Sequence, residues 1–360
     1  MDAEQPQLRA HVAEKRAGIL GLSRQIPRRR SPTPAEVKQW KIAVVIPAYC
    51  AADTIQHVLA EIPGWIDAIY IVDDGSIDGT GAAALAVDNH RIHVLRHERN
   101  RGVGAAMATG YRAAFADGAD ICVKIDADGQ MDPAYLPQLV EPLAAGRADY
   151  AKGNRFHDAE ALGRMPLARR IGNAGLSFLI KAASGQYHIF DPTNGYTAIH
   201  RAALGALDLA RLHPRYFFES SMLIRLKEIG ALIEDVPMSA RYNNERSHLS
   251  VGRALMEFPW LMFRSGLKRI LWQYFVADFN AVSLFLLTGL PLISFGLGFG
   301  VYHWILSSLT HTPATTGTVM LAVLPLILGF QLILQAIVLD VASAPRRSLQ
   351  SRRAPEILPP

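Results

Sequence analysis

The sequence predicts an α/β fold, a mainly parallel sheet flanked by helices, followed by a two-helix membrane hairpin. Three observations carry this. Between residues 42 and 126, short apolar runs rich in β-branched residues alternate with stretches of helical spacing, the pattern of parallel strands joined by right-handed crossovers. The runs end in polar loops. Further on, residues 282–306 and 317–339 carry no Asp, Glu, Lys or Arg, and each exceeds the about 20 apolar residues that a membrane span needs.

The elements follow in order. Ile42-Ala-Val-Val-Ile46 reads as a buried strand stopped by Pro47. Asp53-Thr54 then caps a helix with Ile55, Val58, Leu59 and Ile62 at helical spacing. A second strand over 68–72 runs into Asp73-Asp74-Gly75-Ser76, and a third over 92–95 ends at Asn100-Arg-Gly-Val-Gly104. A helix over 105–116 leads to a fourth strand over 121–125, whose end is Asp126-Ala-Asp128. In open parallel sheets ligands bind at the carboxyl ends of strands. Four polar loops fall there, so they converge on one sheet edge and define a candidate site.

The expected organisation is a disordered basic tail over 1–38, the α/β domain over 40–250, an amphipathic helix in the membrane interface over 252–276, two membrane helices within 279–341, and a basic tail over 342–360. The interfacial reading rests on Arg264, Lys268 and Arg269 interleaved with Phe263, Leu267, Ile270, Leu271 and Tyr274. Arginines cluster at 28–30 and again at 346, 347, 352 and 353. Positive-inside bias therefore puts both chain ends in the cytosol, with the link 307–316 on the far side of the cell membrane. Residues 1–36 hold no apolar core of signal-peptide length, so nothing marks export.

Composition removes several classes. The formal charge of +5 is concentrated in the tails, and the α/β part has no basic stripe with interleaved aromatics, so nucleic acid is not an expected partner whereas membrane lipids are. Cys50 and Cys122 are too few for a disulfide framework. Gly102-x-Gly104 lacks a third glycine and does not directly follow an apolar strand, which argues against a dinucleotide-dependent dehydrogenase. His93 and His97, four apart on a strand, stand about 13 Å from each other and cannot share an ion. Asp126 and Asp128 point the same way if their strand stays extended, and Gln130 adds a neutral oxygen. Such a set of oxygen ligands suits a hard divalent cation.

Val44-Val-Ile-Pro-Ala-Tyr49, Val72-Asp-Asp-Gly-Ser76, Asn100-Arg-Gly-Val-Gly104 and Asp126-Ala-Asp-Gly-Gln130 together resemble the successive motifs of family 2 glycosyltransferases with the GT-A fold. Within that family the similarity is to dolichol- or polyprenyl-phosphate sugar synthases over residues 40–250. The resemblance implies that Pro47, Tyr49 and one of Asp73 and Asp74 hold the nucleobase and ribose of a nucleotide-sugar. It lays the Gly102 to Gly104 loop, and Ala127, against the donor. It gives Asp126, Asp128 and Gln130 the metal, Mg²⁺ or Mn²⁺, on the donor's diphosphate. One departure stands out: the family reads Asn-Glu after Tyr49, but Cys50-Ala51 stands here. That removes a ribose or base contact and leaves the donor open between UDP- and GDP-sugars.

Later motifs point to an acceptor site. Lys152-Gly-Asn-Arg155 follows a strand and presents two cations, Lys152 and Arg155. Asp191-Pro-Thr-Asn-Gly195, Phe218-Glu219 and Tyr242 to Ser250 resemble the family's later motifs, and the resemblance makes Arg246 the contact for an acceptor phosphate. A hydroxyl acceptor would need a base, for which Glu219 or Asp191 serves. The implied activity is inverting transfer of a hexose to polyprenyl phosphate. Transfer to a lipid-linked or cell-surface glycan and non-catalytic nucleotide-sugar binding are the alternatives, and homo-oligomer formation is left open.

Overall fold

The computed structural model describes residues 39–157, 167–239 and 251–353. The basic tail expected over 1–38 lies outside them, as does the stretch 242–250 with Arg246. In chain order the elements are β1 (Ile42–Ala48), α1 (Ile55–Glu61), β2 (Ala68–Asp73), α2 (Thr80–Leu85), β3 (Ile92–Arg96), α3 (Val103–Ala116), β4 (Ile121–Lys124), α4 (Leu136–Ala144), β5 (Tyr150–Asn154), α5 (Leu167–Ser184), β6 (Thr197–His200), α6 (Arg201–Leu204), α7 (Phe218–Glu228), β7 (Ile233–Pro237), α8 (Val251–Leu271), α9 (Ala281–Thr310), α10 (Thr316–Ala342) and α11 (Leu349–Arg353).

The seven strands form one sheet in the order β3-β2-β1-β4-β6-β5-β7. β3, β2, β1 and β4 are parallel, and β7 is parallel to β5, while β6 runs antiparallel to both β4 and β5. The sheet is thus mainly parallel, as its apolar runs predict. Alternation along β1 builds the two cores. Ile42, Val44 and Ile46 face Val58 and Leu59 of α1 and Leu139 and Leu143 of α4. Ala43 and Val45 face Met107 and Tyr111 of α3 and Met222 and Leu226 of α7. Strands covered on both sides have no polar face to show, which is why they read as continuous apolar runs.

Two boundaries differ from expectation. Pro47 does not stop β1 but lies inside it, paired with Val72. The β1–β4 ladder ends at Val45 and Lys124, so past that point no neighbour on that side requires the N–H that proline lacks. At the other strand end, β4 stops at Lys124 and residues 127–128 form a turn. The carboxylates of Asp126 and Asp128 are therefore set by a turn and not by an extended strand.

The chain then leaves the sheet. In α8 the outward residues are Trp260, Phe263, Leu267 and Leu271, all 45 % exposed or more, whereas Met262 is buried against the second core. Arg269, expected on the polar face, is buried instead: it donates to the Ala183 carbonyl at 3.0 Å and to both oxygens of Asp340 at 2.9 and 3.0 Å. The Tyr274 hydroxyl adds a third bond to Asp340 at 2.5 Å. A buried arginine requires such a partner, and the apolar spacing of α8 gives its angle without revealing what packs there.

α9 and α10 have mean hydropathies of 2.0 and 2.3 over their most apolar windows, of which only 11 % is buried. A core helix of that composition would be covered, so these are helices long and apolar enough to cross a membrane, paired as a hairpin. Gly329 packs against Gly289, where an added Cβ would lie 2.7 Å from the Gly289 carbonyl oxygen; this close approach follows the small-residue rule for helix pairs in lipid. After the hairpin the chain returns to the α/β domain. The buried Asp149 carboxylate accepts the N–H of Leu349 at 2.8 Å, the N–H of Gln350 at 3.3 Å and, from within the domain, that of Leu232 at 2.9 Å.

Candidate active site

The carboxyl ends of β1, β2 and β4 lie side by side, and their loops are tied together by side-chain bonds to backbone. After β1, three consecutive N–H groups are held: Cys50 by Ser76 Oγ at 3.0 Å, Ala51 by Thr80 Oγ1 at 2.8 Å and Ala52 by Asp78 Oδ2 at 3.0 Å. The backbone of Cys50-Ala51 is thus anchored although the side chains differ from the family's. Tyr49 remains half exposed beside it, with Pro47 partly buried.

Asp73 and Asp74 are both buried. Asp73 accepts the Ser76 N–H at 2.9 Å, closing the turn that follows β2. Asp74 accepts the N–H of Arg101 at 3.0 Å and of Gly102 at 2.7 Å, and pairs with His97 Nδ1 at 2.6 Å. His97 Nε2 in turn lies 3.0 Å from Thr109 Oγ1. Asp74 therefore shapes the Asn100 to Gly104 loop from below. The glycines of that loop are required by a close approach to chain: a Cβ on Gly104 would lie 2.0 Å from the His213 carbonyl oxygen, and one on Gly102 would lie 2.5 Å from that of Pro214. Residues 213–215, absent from the sequence-level site, thus back the loop.

The turn after β4 carries the metal candidates. Thr54 Oγ1 donates to the Ala127 carbonyl at 2.6 Å and fixes the turn to the start of α1. This is the role of Thr54, whose side chain makes no bond that caps the helix. Asp128 Oδ1 accepts the Gln130 N–H at 3.0 Å, and the Gln130 side chain is exposed. Asp126 is partly exposed and pairs through Oδ1 with Lys124 Nζ at 2.6 Å; Lys124 also lies 3.6 Å from Glu219 Oε1 in the first turn of α7. Burial alone would lower the Lys124 pKa, but Asp126 and Glu219 outweigh it and hold the group above its ordinary value. The sequence did offer a signal for Lys124, a charge at the end of an otherwise apolar strand run.

The donor set fits a divalent cation. Among the described residues no three His, Cys, Asp or Glu side chains gather as a closed metal cage. Two adjacent carboxylates, Asp126 and Asp128, are instead the kind of set that holds Mg²⁺ or Mn²⁺ jointly with a substrate diphosphate.

On the other half of the sheet both expected cations are engaged within the domain: Lys152 is turned inward, and Arg155, partly exposed, reaches a buried carboxylate. Lys152 lies within β5 and not after it, is buried, and donates through Nζ to the Asn194 carbonyl. Burial pushes its pKa down to about 8. Arg155 grips the buried Asp191, Nε to Oδ2 at 2.8 Å and Nη2 to Oδ1 at 3.2 Å. Burial would raise the Asp191 pKa, but Arg155 holds it below the usual carboxylate range, so Asp191 is a poor base.

The model for glycosyl transferase family 2 matches residues 43–207. The chain is 32 % identical over 216 residues to a UDP-N-acetylglucosamine–dolichyl-phosphate N-acetylglucosaminyltransferase of Methanococcus voltae, covering 56 % of this chain and 86 % of that protein. To a polyprenol monophosphomannose synthase of Mycolicibacterium smegmatis it is 31 % identical, covering 57 % and 80 %. Glucosyl-3-phosphoglycerate synthase of Mycobacterium tuberculosis, solved with Mn²⁺, UDP and glucosyl-3-phosphoglycerate, superposes with a TM-score of 0.50 at 23 % identity, over 67 % of this chain and 85 % of that one, a likeness of fold. The fold is thus of GT-A architecture, with two carboxylates just past the carboxyl end of β4. The chain belongs to glycosyltransferase family 2, and the two relatives named here transfer sugars to polyprenyl-type phosphates.

Proposed function

We propose that the protein transfers a hexose, with inversion at the anomeric carbon, from a UDP- or GDP-sugar to a polyprenyl phosphate at the membrane surface. The observation that carries this is the Asp126-x-Asp128 turn at the sheet edge of a domain bound directly to an apolar helical hairpin. Pro47, Tyr49 and the turn begun by Asp73 receive the nucleoside, while Asp74 acts by shaping the Gly102 to Gly104 loop that lines the donor with Ala127. Asp126, Asp128 and Gln130 hold Mg²⁺ or Mn²⁺, which when bound offsets the charge developing on the diphosphate.

An oxygen of the acceptor phosphate attacks the anomeric carbon from the face opposite the diphosphate. The new C–O bond forms as the bond to the diphosphate breaks, and the nucleoside diphosphate leaves. An ionised phosphate has no proton to give up, so Glu219 is not needed as a base here. Arg246 meets the acceptor phosphate; Lys152 and Arg155 act through their field and by fixing Asp191 and Asn194. The α/β domain and the chain ends lie in the cytosol on the arginine distribution, and the return of Leu349 and Gln350 to Asp149 supports both ends of the hairpin being on one side.

The test is incubation of membranes containing the protein with a panel of radiolabelled nucleotide-sugars and polyprenyl phosphate, with and without chelator. One donor is expected to give a lipid-linked product that disappears with chelation. Transfer only to glycan hydroxyls would overturn the acceptor assignment, and full activity in chelator would remove the metal.

A further inference from the structure

Lys124 has no part in the reaction as described above, yet it sits at the centre of the site. It is 1 % exposed at the last position of β4, with Nζ between Asp126 at 2.6 Å and Glu219 at 3.6 Å. Burying an ammonium is costly unless it is paired, and the preceding Ile, Cys and Val give no local reason for a charge. The opposite side of the pair is kept clear by Gly195, where a Cβ would stand 2.7 Å from Lys124 Nζ and 3.3 Å from Asp126 Oδ2. Without the ammonium, the Asp126 and Glu219 carboxylates would lose the cation they share.

We propose that Lys124 is a positioning residue and the resident counter-charge of the donor site. It fixes the Asp126 and Glu219 carboxylates, engages Asp126 through Oδ1, and keeps the affinity for a bare divalent cation low until a diphosphate brings its own charge. Gly195 leaves room for this arrangement. The inference rests on reading the Asp126-x-Asp128 turn as the diphosphate site, so its test carries a control for that reading.

The probe is Mn²⁺ alone, titrated by electron paramagnetic resonance into the detergent-solubilised full chain, alongside steady-state turnover. Lys124→Met removes a positive charge beside Asp126 and is expected to tighten Mn²⁺ binding on the order of tenfold. Turnover is expected to fall on the order of a hundredfold as the carboxylates lose their placement. Opposite movements of the two quantities distinguish positioning from general damage, which weakens both. Parallel losses, or values within about threefold of wild type (half a log unit, 0.7 kcal/mol) in both, overturn the proposal. If Lys124→Met does not fold, Gly195→Ala decides: the added methyl displaces Nζ while keeping its charge. Lower turnover with wild-type Mn²⁺ affinity then supports the proposal, and unchanged turnover overturns it. Asp128→Ala is the control. Retained Mn²⁺ binding there would overturn the reading of the site itself, and Lys124's role with it; lost binding there, with Lys124→Met behaving as wild type, would overturn only the role of Lys124.

Discussion

The two halves of the sheet handle charge differently. Along β3-β2-β1-β4 the acidic groups stand in loops past the strand ends, where Asp73 and Asp74 organise backbone and Asp126 and Asp128 remain partly open. Along β6-β5-β7 and the helices packed on it, charges are paired inside: Lys152 with a carbonyl, Arg155 with Asp191, Arg269 with Asp340. The lesson is one of desolvation. A site that receives a charged ligand must leave part of its charge unspent, whereas a body that holds an apolar hairpin in place spends most of it internally.

The largest effect is expected where charge is unspent. Asp128→Ala should lower turnover about 10³-fold with little change in thermal unfolding, measured by radiolabelled transfer and by circular dichroism. Full activity in that variant would break the comparison on its donor side. Asp340→Ala tests the other side. It strands the buried Arg269 and should destabilise the folded protein by about 3 kcal/mol, read from tryptophan fluorescence during unfolding in detergent. Affinity for the nucleotide-sugar donor should be unchanged, and an unchanged midpoint would mean that the internal pairs hold nothing.

Arg246→Ala is expected to raise the KM for polyprenyl phosphate on the order of tenfold and leave the donor KM alone, with Arg246→Lys intermediate because the bidentate fork is lost. A shift in the donor KM alone would move Arg246 to the diphosphate. Glu219→Gln should cost about tenfold or less in turnover, through lost contact with Lys124. A loss of hundredfold or more, the range of a general base, would favour a hydroxyl acceptor.

The smallest effect concerns Asp235. Burial pushes its carboxyl up to about 6, and one oxygen lacks a hydrogen-bond partner. Between its ordinary value and 6 the folded state holds a proton that the unfolded chain has released, so this group's stabilisation is present at low pH and lost as pH rises through 6. Asp235→Asn should flatten that dependence and raise the unfolding midpoint near neutral pH by about 2 °C.

Much of the parallel half was legible because burial on both faces leaves an uninterrupted apolar signature, and because strand ends in such sheets are where polar loops collect. β6 was not. Thr197 to His200 is short, pairs antiparallel on both sides, and has no periodicity of its own. In the site, the sequence located Asp74 and Asp126 but not their partners. The bond from Asp74 to the Gly102 N–H spans 28 residues and leaves no repeat to detect. Lys124 was visible as an intrusion in an apolar run, but its purpose depends on Glu219, delivered by α7 from a distant part of the chain.

Asp149 has one more consequence. Its bond to Leu349 closes a loop of 200 residues that contains the entire hairpin. While the chain is being made, Leu232 can reach this carboxylate early, but its bonds to Leu349 and Gln350 stay unmade until the last apolar helix is complete and the chain has come back. Loop-closure entropy grows only slowly with length, so the wait is topological rather than thermodynamic. A molecule whose hairpin fails to return carries a defect at the far edge of its own sheet. The state of the hairpin is thus written into the hydrogen bonds of a carboxylate that lies in the α/β domain and not in the hairpin itself.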